Sequence, residues 1–295
     1  MVLSKPNFFI IGAPKCGTTS LYNYLNAHSQ ITMSHPKEPH YFSTDIENGG
    51  IRNKEEYLGC FSHSDRNAIA IGESSTLYLY SKVAAQNIYN YNKDAKFITM
   101  IRNPIEIARS FHQVALKVFG EIETDFEKAW SLEENRKLGL NIPKGCVDSK
   151  LILYGNIAKI GQQIERLLAK ISPDKIHFIL YDDLKSSTES EYIKVLNFLN
   201  VDKEIPMNFS LYNKSQKIKN ETVTKLTNYA SSFKKKLNIK TRFNIANKIH
   251  KANVIERPLD ELPKNFLLKM DKFFDYDINL LSRLIKKDLS KWRIS

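Results

Sequence analysis

Short apolar runs alternate along the chain with stretches in which apolar residues recur every three or four positions. The apolar runs are short and end in glycine, proline or polar residues, which predicts buried strands at residues 8–11, 68–74, 95–104 and 175–184. The periodic stretches predict helices at residues 18–26, 82–91, 105–118, 125–138, 154–171 and 190–199. Strands that alternate with helices predict an α/β fold with a central parallel β-sheet flanked by helices.

Length and composition indicate one domain with a full core. The chain has 295 residues, of which 42% are hydrophobic, and this excludes a disordered protein. We therefore expect a single domain over residues 1–295, with a basic segment at 211–251 and a C-terminal helix at 266–292 as parts of it.

The positive charge is concentrated in one part of the chain. The formal net charge is +12, and residues 214–251 contain eleven Lys and Arg but a single acidic residue, Glu221. Such a segment favours a polyanionic partner, which includes a phosphate ligand, an acidic glycan, nucleic acid or a membrane surface. A solvated lysine-rich surface explains the same pattern, so the role of this segment stays open.

The cysteines and the hydropathy pattern predict the cellular location of the protein. Cys16, Cys60 and Cys146 are too few and too widely spaced for a zinc cluster or a disulfide framework, which favours a reducing compartment. No apolar run approaches the roughly 18–20 residues of a membrane span, and the N-terminal residues show no cleavage pattern. We expect a cytoplasmic protein without a transmembrane segment.

The stretch GAPKCGTTSLYNYL follows the first predicted strand and resembles a phosphate-binding loop. Gly12 and Gly17 permit backbone angles that turn successive amides toward an anion at the start of a helix. In the nucleotide hydrolases, however, the lysine directly follows the second glycine, whereas here Thr18 follows Gly17 and Lys15 lies inside the loop. A P-loop kinase that needs magnesium, and an ordinary strand–turn–helix corner, both remain open at this point.

A second motif, IRNPIEIARSFHQ, follows the third predicted strand. Arg102 ends that strand, Pro104 opens a helix and Ser110 lies two turns into it. An arginine and a serine near a helix start favour a second phosphate site. Two phosphate sites on neighbouring strands indicate a nucleotide that is phosphorylated at two distant positions.

Together the two motifs resemble those of the sulfotransferases that use 3′-phosphoadenosine 5′-phosphosulfate, in particular the bacterial and heparan-sulfate-type, glycan-modifying branch. Their 5′-phosphosulfate loop carries lysine before G-T-[TS], and their 3′-phosphate motif carries the arginine and the serine. KEPHYF is similar to the segment with their acceptor-side glutamate, and LYGNIAKIGQQIERLL, IHFILYDDL and DINLLSRLIKKDLSKW are similar to later elements. The resemblance covers residues 7–292 and implies the P-loop-like sulfotransferase fold.

The resemblance also implies a set of site residues. Lys15 would stabilise the departing oxygen, and Glu38 would be the base, with a pKa that burial raises toward neutrality. His40 is a rival base. The implied donor-binding residues are Pro14, Lys15, Cys16, Gly17, Thr18, Thr19, Ser20, Arg102 and Ser110, with Ser215, Lys217 and Lys219 in a late loop. The implied acceptor-side residues are Lys37, Glu73 and Ser74.

The implied reaction moves a sulfuryl group from 3′-phosphoadenosine 5′-phosphosulfate to a hydroxyl, in preference to an amine, and releases adenosine 3′,5′-bisphosphate. No metal is required, because lysine and helix dipoles can neutralise the leaving group. The implied acceptor is a carbohydrate or glycoconjugate, and contact with an acidic surface through residues 214–251 is an accessory expectation. A P-loop ATP-dependent kinase and a non-enzymatic polyanion-binding protein are the alternatives.

Overall fold

The computed structural model describes residues 5–63, 68–205, 208–209, 216–218, 254–256 and 261–294. The chain divides into two compact units. The first unit comprises Met1–Asn103, Lys159–Asn213 and Asp275–Arg293, and the second comprises Pro104–Ala158, Lys214–Phe274 and Ile294–Ser295.

The first unit contains a parallel five-stranded sheet. Its strands in chain order are β1 (Phe8–Gly12), β2 (Ile31–Met33), β3 (Ala70–Ser74), β4 (Lys96–Ile101) and β5 (Ile176–Leu180). Their spatial order is β2-β3-β1-β4-β5, so β1 lies in the centre between β3 and β4. Because all five strands are parallel, their carboxyl ends meet at one edge of the sheet, where ligands bind in folds of this class.

The helices follow the pattern that the sequence predicts in most places. In chain order they are α1 (Thr18–Asn26), α2 (Lys54–Gly59), α3 (Ala84–Tyr91), α4 (Pro104–Val114), α5 (Phe126–Ser131), α6 (Glu133–Lys137), α7 (Tyr154–Ala158), α8 (Ile160–Leu168), α9 (Tyr181–Ser186), α10 (Thr188–Leu199) and α11 (Lys264–Ile285). Single turns of other helix types occupy Ala115–Phe119, Ser149–Ile152, Pro173–Lys175 and Ser290–Trp292.

The core of the first unit forms around the central strands. Phe8, Phe9 and Ile10 of β1 are fully buried, as are Phe97 and Ile98 of β4. A strand that is apolar at every position can be buried on both faces, which is what the centre of a parallel sheet requires.

The second unit is organised around aromatic contacts and one buried ion pair. Trp130 packs edge-to-face against Phe266 and Phe273 of α11. Arg136 pairs with Glu121 at 2.7 Å, and both side chains are almost completely buried. The antiparallel strands β6 (Gln216–Ile218) and β7 (Val254–Glu256) belong to this unit, and β6 lies against α4.

The predicted fold class is confirmed, with differences in individual elements. Residues 175–184 are not one strand, because β5 ends at Leu180 and α9 begins at Tyr181. The predicted helix at 154–171 is broken at Lys159, where the Asp277 carboxylate accepts the N–H groups of Gly161 and Gln162 and caps α8.

Other differences concern the ends of the chain and the segments between motifs. Strand β2 and helix α2 were not predicted, since three and six residues carry too little periodicity. The C-terminal helix spans Lys264–Ile285 and is followed by the turn Ser290–Trp292. The basic segment at 211–251 lies outside the described residues except for β6. The extent of a single domain over 1–295 stays a prediction.

Membrane spans can be searched for in the part of the chain that is described. None of the helices there is long and apolar enough to cross a bilayer.

Candidate active site

The loop between β1 and α1 requires glycine at both of its ends. Gly12 has φ of 130°, and a Cβ there would lie 2.4 Å from the carbonyl oxygen of Thr76. Gly17 has φ of 84°, and a Cβ there would lie 3.2 Å from the Tyr181 ring. The Ala13 N–H donates to the Met100 carbonyl oxygen at 2.7 Å, which ties the loop to β4. The close approach of other chain segments therefore dictates the glycine spacing.

Helix α1 begins directly after this loop. No acidic residue lies in its first turn. The first N–H groups of a helix have no partner within the helix, and the helix dipole adds positive potential there. The start of α1 therefore favours an anion.

Lys15 and Arg102 bring two positive charges to the same place. Lys15 has φ of 64°, and its carbonyl oxygen accepts a hydrogen bond of 2.9 Å from Arg102 Nη1. Burial lowers the pKa of Lys15, and the nearby Arg102 charge lowers it further, while Cys16 and Glu38 act in the opposite direction. The Arg102 guanidinium also lies over the Tyr181 ring, 4.5 Å from its centroid. Two cations beside a helix start fit a ligand with more than one negative charge.

The other predicted loop residues lie where the sequence placed them. Thr18 and Ser20 are 4% exposed, and Cys16 is fully buried with its thiol hydrogen-bonded to the Pro14 carbonyl oxygen at 3.4 Å. Thr19 is partly exposed in the first turn of α1. Their contacts with a donor stay predictions.

The residues predicted for the 3′-phosphate fall in different parts of the chain. Arg102 belongs to the first unit, whereas Ser110 lies on α4 in the second unit and is 9% exposed. Lys217 lies in β6, beside α4. Ser215 and Lys219 lie outside the described residues. A joint 3′-phosphate site built from these residues stays a prediction.

Glu38 is held by three neighbouring side chains and one backbone amide. Lys37 Nζ lies 2.9 Å from Oε1, and His40 Nε2 lies 3.0 Å from Oε2. The N–H and the hydroxyl of Thr76 both donate to Oε2, at 2.9 and 2.7 Å. The carboxylate therefore has a fixed orientation at the carboxyl edge of the sheet.

This environment reverses the expected protonation behaviour of Glu38. Burial alone would raise its pKa, but the hydrogen bond from His40, the charges of Lys37 and His40 and the Thr76 amide outweigh burial and hold the pKa well below its usual range. The expectation of a pKa raised toward neutrality is wrong. These contacts favour the ionised form of Glu38.

His40 supports Glu38 rather than competing with it in this arrangement. An ionised carboxylate only accepts hydrogen bonds, so the Nε2 atom of His40 carries the hydrogen between them. The other ring nitrogen, Nδ1, is buried and has no hydrogen-bond partner within the described part of the chain. The His40 backbone has φ of 52°, and its N–H donates to Ser75 Oγ at 2.9 Å.

Glu73 and Ser74 are completely buried. The Glu73 carboxylate accepts hydrogen bonds from the hydroxyls of Tyr57 at 2.5 Å and Ser75 at 2.7 Å, and it is also hydrogen-bonded to Tyr78. Burial raises the pKa of Glu73, while these hydroxyl groups act in the opposite direction. Neither Glu73 nor Ser74 reaches solvent, so the prediction that they contact an acceptor does not hold in this structure. Lys37 pairs with Glu38 and, with a side chain that is 15% exposed, stays an acceptor-side candidate.

Asp182 and Asp183, which follow β5, contact residues 287–292 near the C-terminal end of the described chain. Asp182 accepts the Trp292 indole N–H at 3.0 Å, and Asp183 pairs with Lys287 at 2.7 Å. These contacts give both aspartates a structural role.

A cavity of about 430 Å³ lies in the first unit and was not predicted. The rings of His35 and His63 are 6.4 Å apart in an edge-to-face arrangement, and His35 lies two residues before Lys37. Cavities of this size hold small organic ligands or a sugar ring. The lining residues are Tyr22, Asn26, His35, Gly59, Ser62 and His63.

Sequence reasoning also missed Thr76 and Tyr181, which hold Glu38 and Arg102 in place. Both residues follow the carboxyl end of a strand, at the edge where ligands of such sheets bind, and that position was the available signal.

Metal-binding groups can be assessed in the described ranges. There, no group of three or more His, Cys, Asp and Glu residues could hold a metal ion.

Comparison with known families gives one match that covers most of the chain. A family model described as "Sulfotransferase domain" matches residues 5–280.

Three curated relatives match shorter parts. Membrane-associated sulfotransferase kil1 of Dictyostelium discoideum is 33% identical over 119 residues, which are 39% of this chain and 24% of that protein. Carbohydrate sulfotransferase 15 of Homo sapiens is 27% identical over 246 residues, 66% of this chain and 44% of that protein. Bifunctional heparan sulfate N-deacetylase/N-sulfotransferase 1 of Xenopus laevis is 31% identical over 111 residues, 37% of this chain and 13% of that protein. The chain thus spans less than half the length of these relatives.

A comparison with solved structures gives matches over nearly the full length of the chain. The sulfotransferase from Alicyclobacillus acidocaldarius superimposes with a TM-score of 0.73 at 25% sequence identity, covering 99% of this chain and all of that one.

Proposed function

Because the chain belongs to the sulfotransferase family, we propose that it transfers a sulfuryl group from 3′-phosphoadenosine 5′-phosphosulfate to an acceptor hydroxyl. The observation that carries this proposal is the placement of a cation and an ionised carboxylate within electrostatic reach of each other. Lys15 is close enough to Glu38 for the carboxylate to raise the pKa of the lysine. Sulfuryl transfer needs positive charge at the leaving oxygen and a base at the attacking hydroxyl.

The donor-binding residues supply charge and fixed geometry. Lys15, Arg102 and the start of α1 would hold the phosphate groups of the donor, whose contribution is an activated sulfate. Thr18, Thr19 and Ser20 would add hydroxyl donors. Burial and the nearby charge of Arg102 lower the pKa of Lys15 in the free protein, and a bound polyanion would offset both effects.

The reaction balances without any further reactant. The acceptor oxygen forms a bond to sulfur while the bond between sulfur and the bridging phosphate oxygen breaks. The acceptor proton passes to the Glu38 carboxylate, and the products are a sulfate ester and adenosine 3′,5′-bisphosphate. Lys15 stabilises the negative charge that develops on the bridging oxygen.

The low pKa of Glu38 is compatible with a role as base. An anionic donor competes with Glu38 for the positive charges of Lys37 and Lys15. As those charges turn to the donor, the pKa of Glu38 rises toward a range that suits proton abstraction. His40 continues to hold the carboxylate in position through Nε2.

We further propose a carbohydrate or glycoconjugate as the acceptor. Two of the relatives carry names that refer to carbohydrate and heparan sulfate, which supports this class for the present chain. We propose a hydroxyl, in preference to an amine, as the attacking group of this acceptor. The basic residues at 214–251 would add contact with an acidic surface, and the cytoplasm is the proposed location.

The test combines a transfer assay with a binding assay. The purified protein is incubated with donor labelled with ³⁵S and a panel of unsulfated and N-sulfated glycans, glycolipids and small alcohols. Calorimetry then compares the binding of adenosine 3′,5′-bisphosphate with that of Mg·ATP. We expect label on a glycan and binding of the bisphosphate, and we expect Glu38→Gln to lose transfer while still binding it.

The same experiment separates the alternatives. Magnesium-dependent ATP turnover without binding of the bisphosphate would support a P-loop kinase and overturn the proposal. Salt-sensitive binding of polyanions with neither activity would support a polyanion-binding protein.

A further inference from the structure

The segment that carries Glu38 is attached to the turn after β3 at several points. Thr76 donates twice to the Glu38 carboxylate, and the neighbouring Ser75 accepts the N–H of His40 at 2.9 Å. Further along, the hydroxyl oxygen of Tyr78 accepts the N–H of Phe42 at 3.2 Å. The position of the base therefore depends on how these hydroxyl groups are oriented.

A hydroxyl can accept a backbone N–H in a fixed direction only when its own hydrogen points elsewhere. The Ser75 hydroxyl donates to Glu73 Oε1 at 2.7 Å, and Tyr78 is hydrogen-bonded to the same carboxylate. Both hydrogens thus point to Glu73, which leaves the lone pairs of the two oxygens for the N–H groups of His40 and Phe42.

A third contact reaches the same segment through aromatic packing. The Tyr57 hydroxyl donates to Glu73 Oε2 at 2.5 Å. The Tyr57 ring stacks on Tyr41 with a centroid distance of 4.3 Å and an angle of 10° between the planes. Glu73 itself is fully buried, and the hydroxyl groups of Tyr57, Ser75 and Tyr78 donate hydrogen bonds to its carboxylate.

Burial of a carboxylate among hydroxyl groups costs free energy, so its presence calls for an explanation. We propose that Glu73 is a positioning residue for sulfuryl transfer, because its carboxylate orients the hydroxyls of Ser75 and Tyr78 so that they hold the segment carrying Glu38. This inference rests on the proposed function. Glu73 does not touch the reacting atoms and acts through Ser75 and Tyr78.

The first test measures kcat, KM and donor affinity for Glu73→Gln, Ser75→Ala and Tyr57→Phe with an acceptor from the panel above. Glu73→Gln replaces an acceptor-only group by one that also donates, so at least one hydroxyl must turn. We expect kcat to fall about 10- to 100-fold, as for a base displaced by a fraction of an ångström. The affinity for adenosine 3′,5′-bisphosphate should stay within about twofold of the parent, because no donor contact is removed.

Two matched variants separate positioning from a general loss of stability. Tyr57→Phe removes one hydrogen bond to Glu73 but leaves Ser75 and Tyr78 oriented, so its kcat should stay close to that of the parent. Glu133→Gln replaces another buried glutamate, 4% exposed and in the other unit, and should also leave kcat unchanged.

A double-mutant comparison tests the route through Ser75. If Glu73 acts through Ser75, the double variant Glu73→Gln/Ser75→Ala should be no slower than the slower single variant. The pH profile of kcat gives a readout that loss of stability would not move. Loosening Glu38 from His40 and Thr76 raises its pKa, so the acid limb should move to higher pH in Glu73→Gln.

The possible outcomes test the proposed sulfuryl transfer and the positioning role of Glu73 separately. Absence of sulfuryl transfer by the parent protein would overturn the proposed function itself. An active parent with unchanged kcat in Glu73→Gln, additive losses in the double variant, or an equal loss in Tyr57→Phe would overturn the positioning role alone. If circular dichroism shows that Glu73→Gln does not fold, Ser75→Ala decides, since full kcat in that variant contradicts the route.

Discussion

Replacing Arg102 by alanine should weaken the binding of a nucleotide that carries a 3′-phosphate far more than the binding of one that lacks it. In the structure, Arg102 donates to the Lys15 carbonyl oxygen at 2.9 Å and stacks over Tyr181 at 4.5 Å. These two contacts hold the guanidinium in one orientation. A fixed guanidinium can form two parallel hydrogen bonds with a phosphate.

The expected magnitude has two parts. Loss of a paired, charge-assisted interaction with the 3′-phosphate costs about 3 kcal/mol, or about 100-fold in Kd. Loss of the hydrogen bond to Lys15 loosens the loop and costs about 1 kcal/mol, or about fivefold, for any nucleotide bound there. Adenosine 3′,5′-bisphosphate should therefore lose several hundredfold in affinity, and adenosine 5′-monophosphate about fivefold.

Isothermal titration calorimetry with both nucleotides measures this difference directly. Arg166→Ala is a matched control, because Arg166 is likewise partly buried in the first unit and donates to the carbonyl oxygens of Leu79 and Tyr80 at 2.9 and 3.1 Å. Arg102→Lys should fall between the parent and the alanine variant, since it keeps the charge but not the planar fork. Equal losses for the two nucleotides, or no loss for either, would refute the assignment of Arg102 to the 3′-phosphate.

Three further predictions concern catalysis and stability. Lys15→Ala should lower kcat at least 100-fold in the transfer assay, because the charge of Lys15 acts mainly on the leaving oxygen. The affinity for the bisphosphate should fall less than kcat, and a larger fall in affinity would contradict this role. Gly12→Ala should destabilise the protein by about 1–3 kcal/mol in urea denaturation, since its Cβ would meet the Thr76 carbonyl oxygen at 2.4 Å. Gly59→Ala is the control: with open space around a helical position, it should not destabilise the protein. Burial raises the pKa of Glu133 from 4.5 to about 7. Between these two pH values the folded state therefore binds more protons than the unfolded state. The free energy of unfolding should fall by about 3 kcal/mol as pH rises from 4.5 to 7. Urea denaturation of Glu133→Gln at pH 5 and pH 8 should lack this component, and an unchanged pH dependence would show that Glu133 is not its source.

The donor side of the site could be predicted from the sequence because its signal is local. Glycine spacing, a lysine inside the loop and an arginine at a strand end are all visible within one short window. The structure adds that Gly12 is dictated by Thr76 and Gly17 by Tyr181, which lie far away along the chain.

The acceptor side depends on contacts between distant segments and could not be predicted to the same depth. The pKa of Glu38 is set by burial, which raises it, and by the ring of His40, the charge of Lys37 and the Thr76 amide, which lower it. A sequence window shows neither the distance nor the direction of these groups. Glu73 occupies a position that suggests contact with an acceptor, but its burial under Tyr57 reverses that interpretation. The fold was predictable where strands are long and apolar, and less so for β2, which has three residues.

The turn Ser290–Trp292 brings the far end of the described chain close to Arg102 and Tyr181, on the side that we propose for the donor. The Trp292 indole is held by Asp182, next to Tyr181, and the Trp292 carbonyl oxygen accepts a hydrogen bond from Asn103, next to Arg102. A chain shortened before Ser290 would keep every residue assigned to the donor but lose the contacts that Trp292 makes with Asn103, beside Arg102, and with Asp182, beside Tyr181. Such a truncated form should bind the nucleotide more weakly. This loss would suggest a binding residue near the C-terminal end, although the proposed contacts with the donor come from earlier segments.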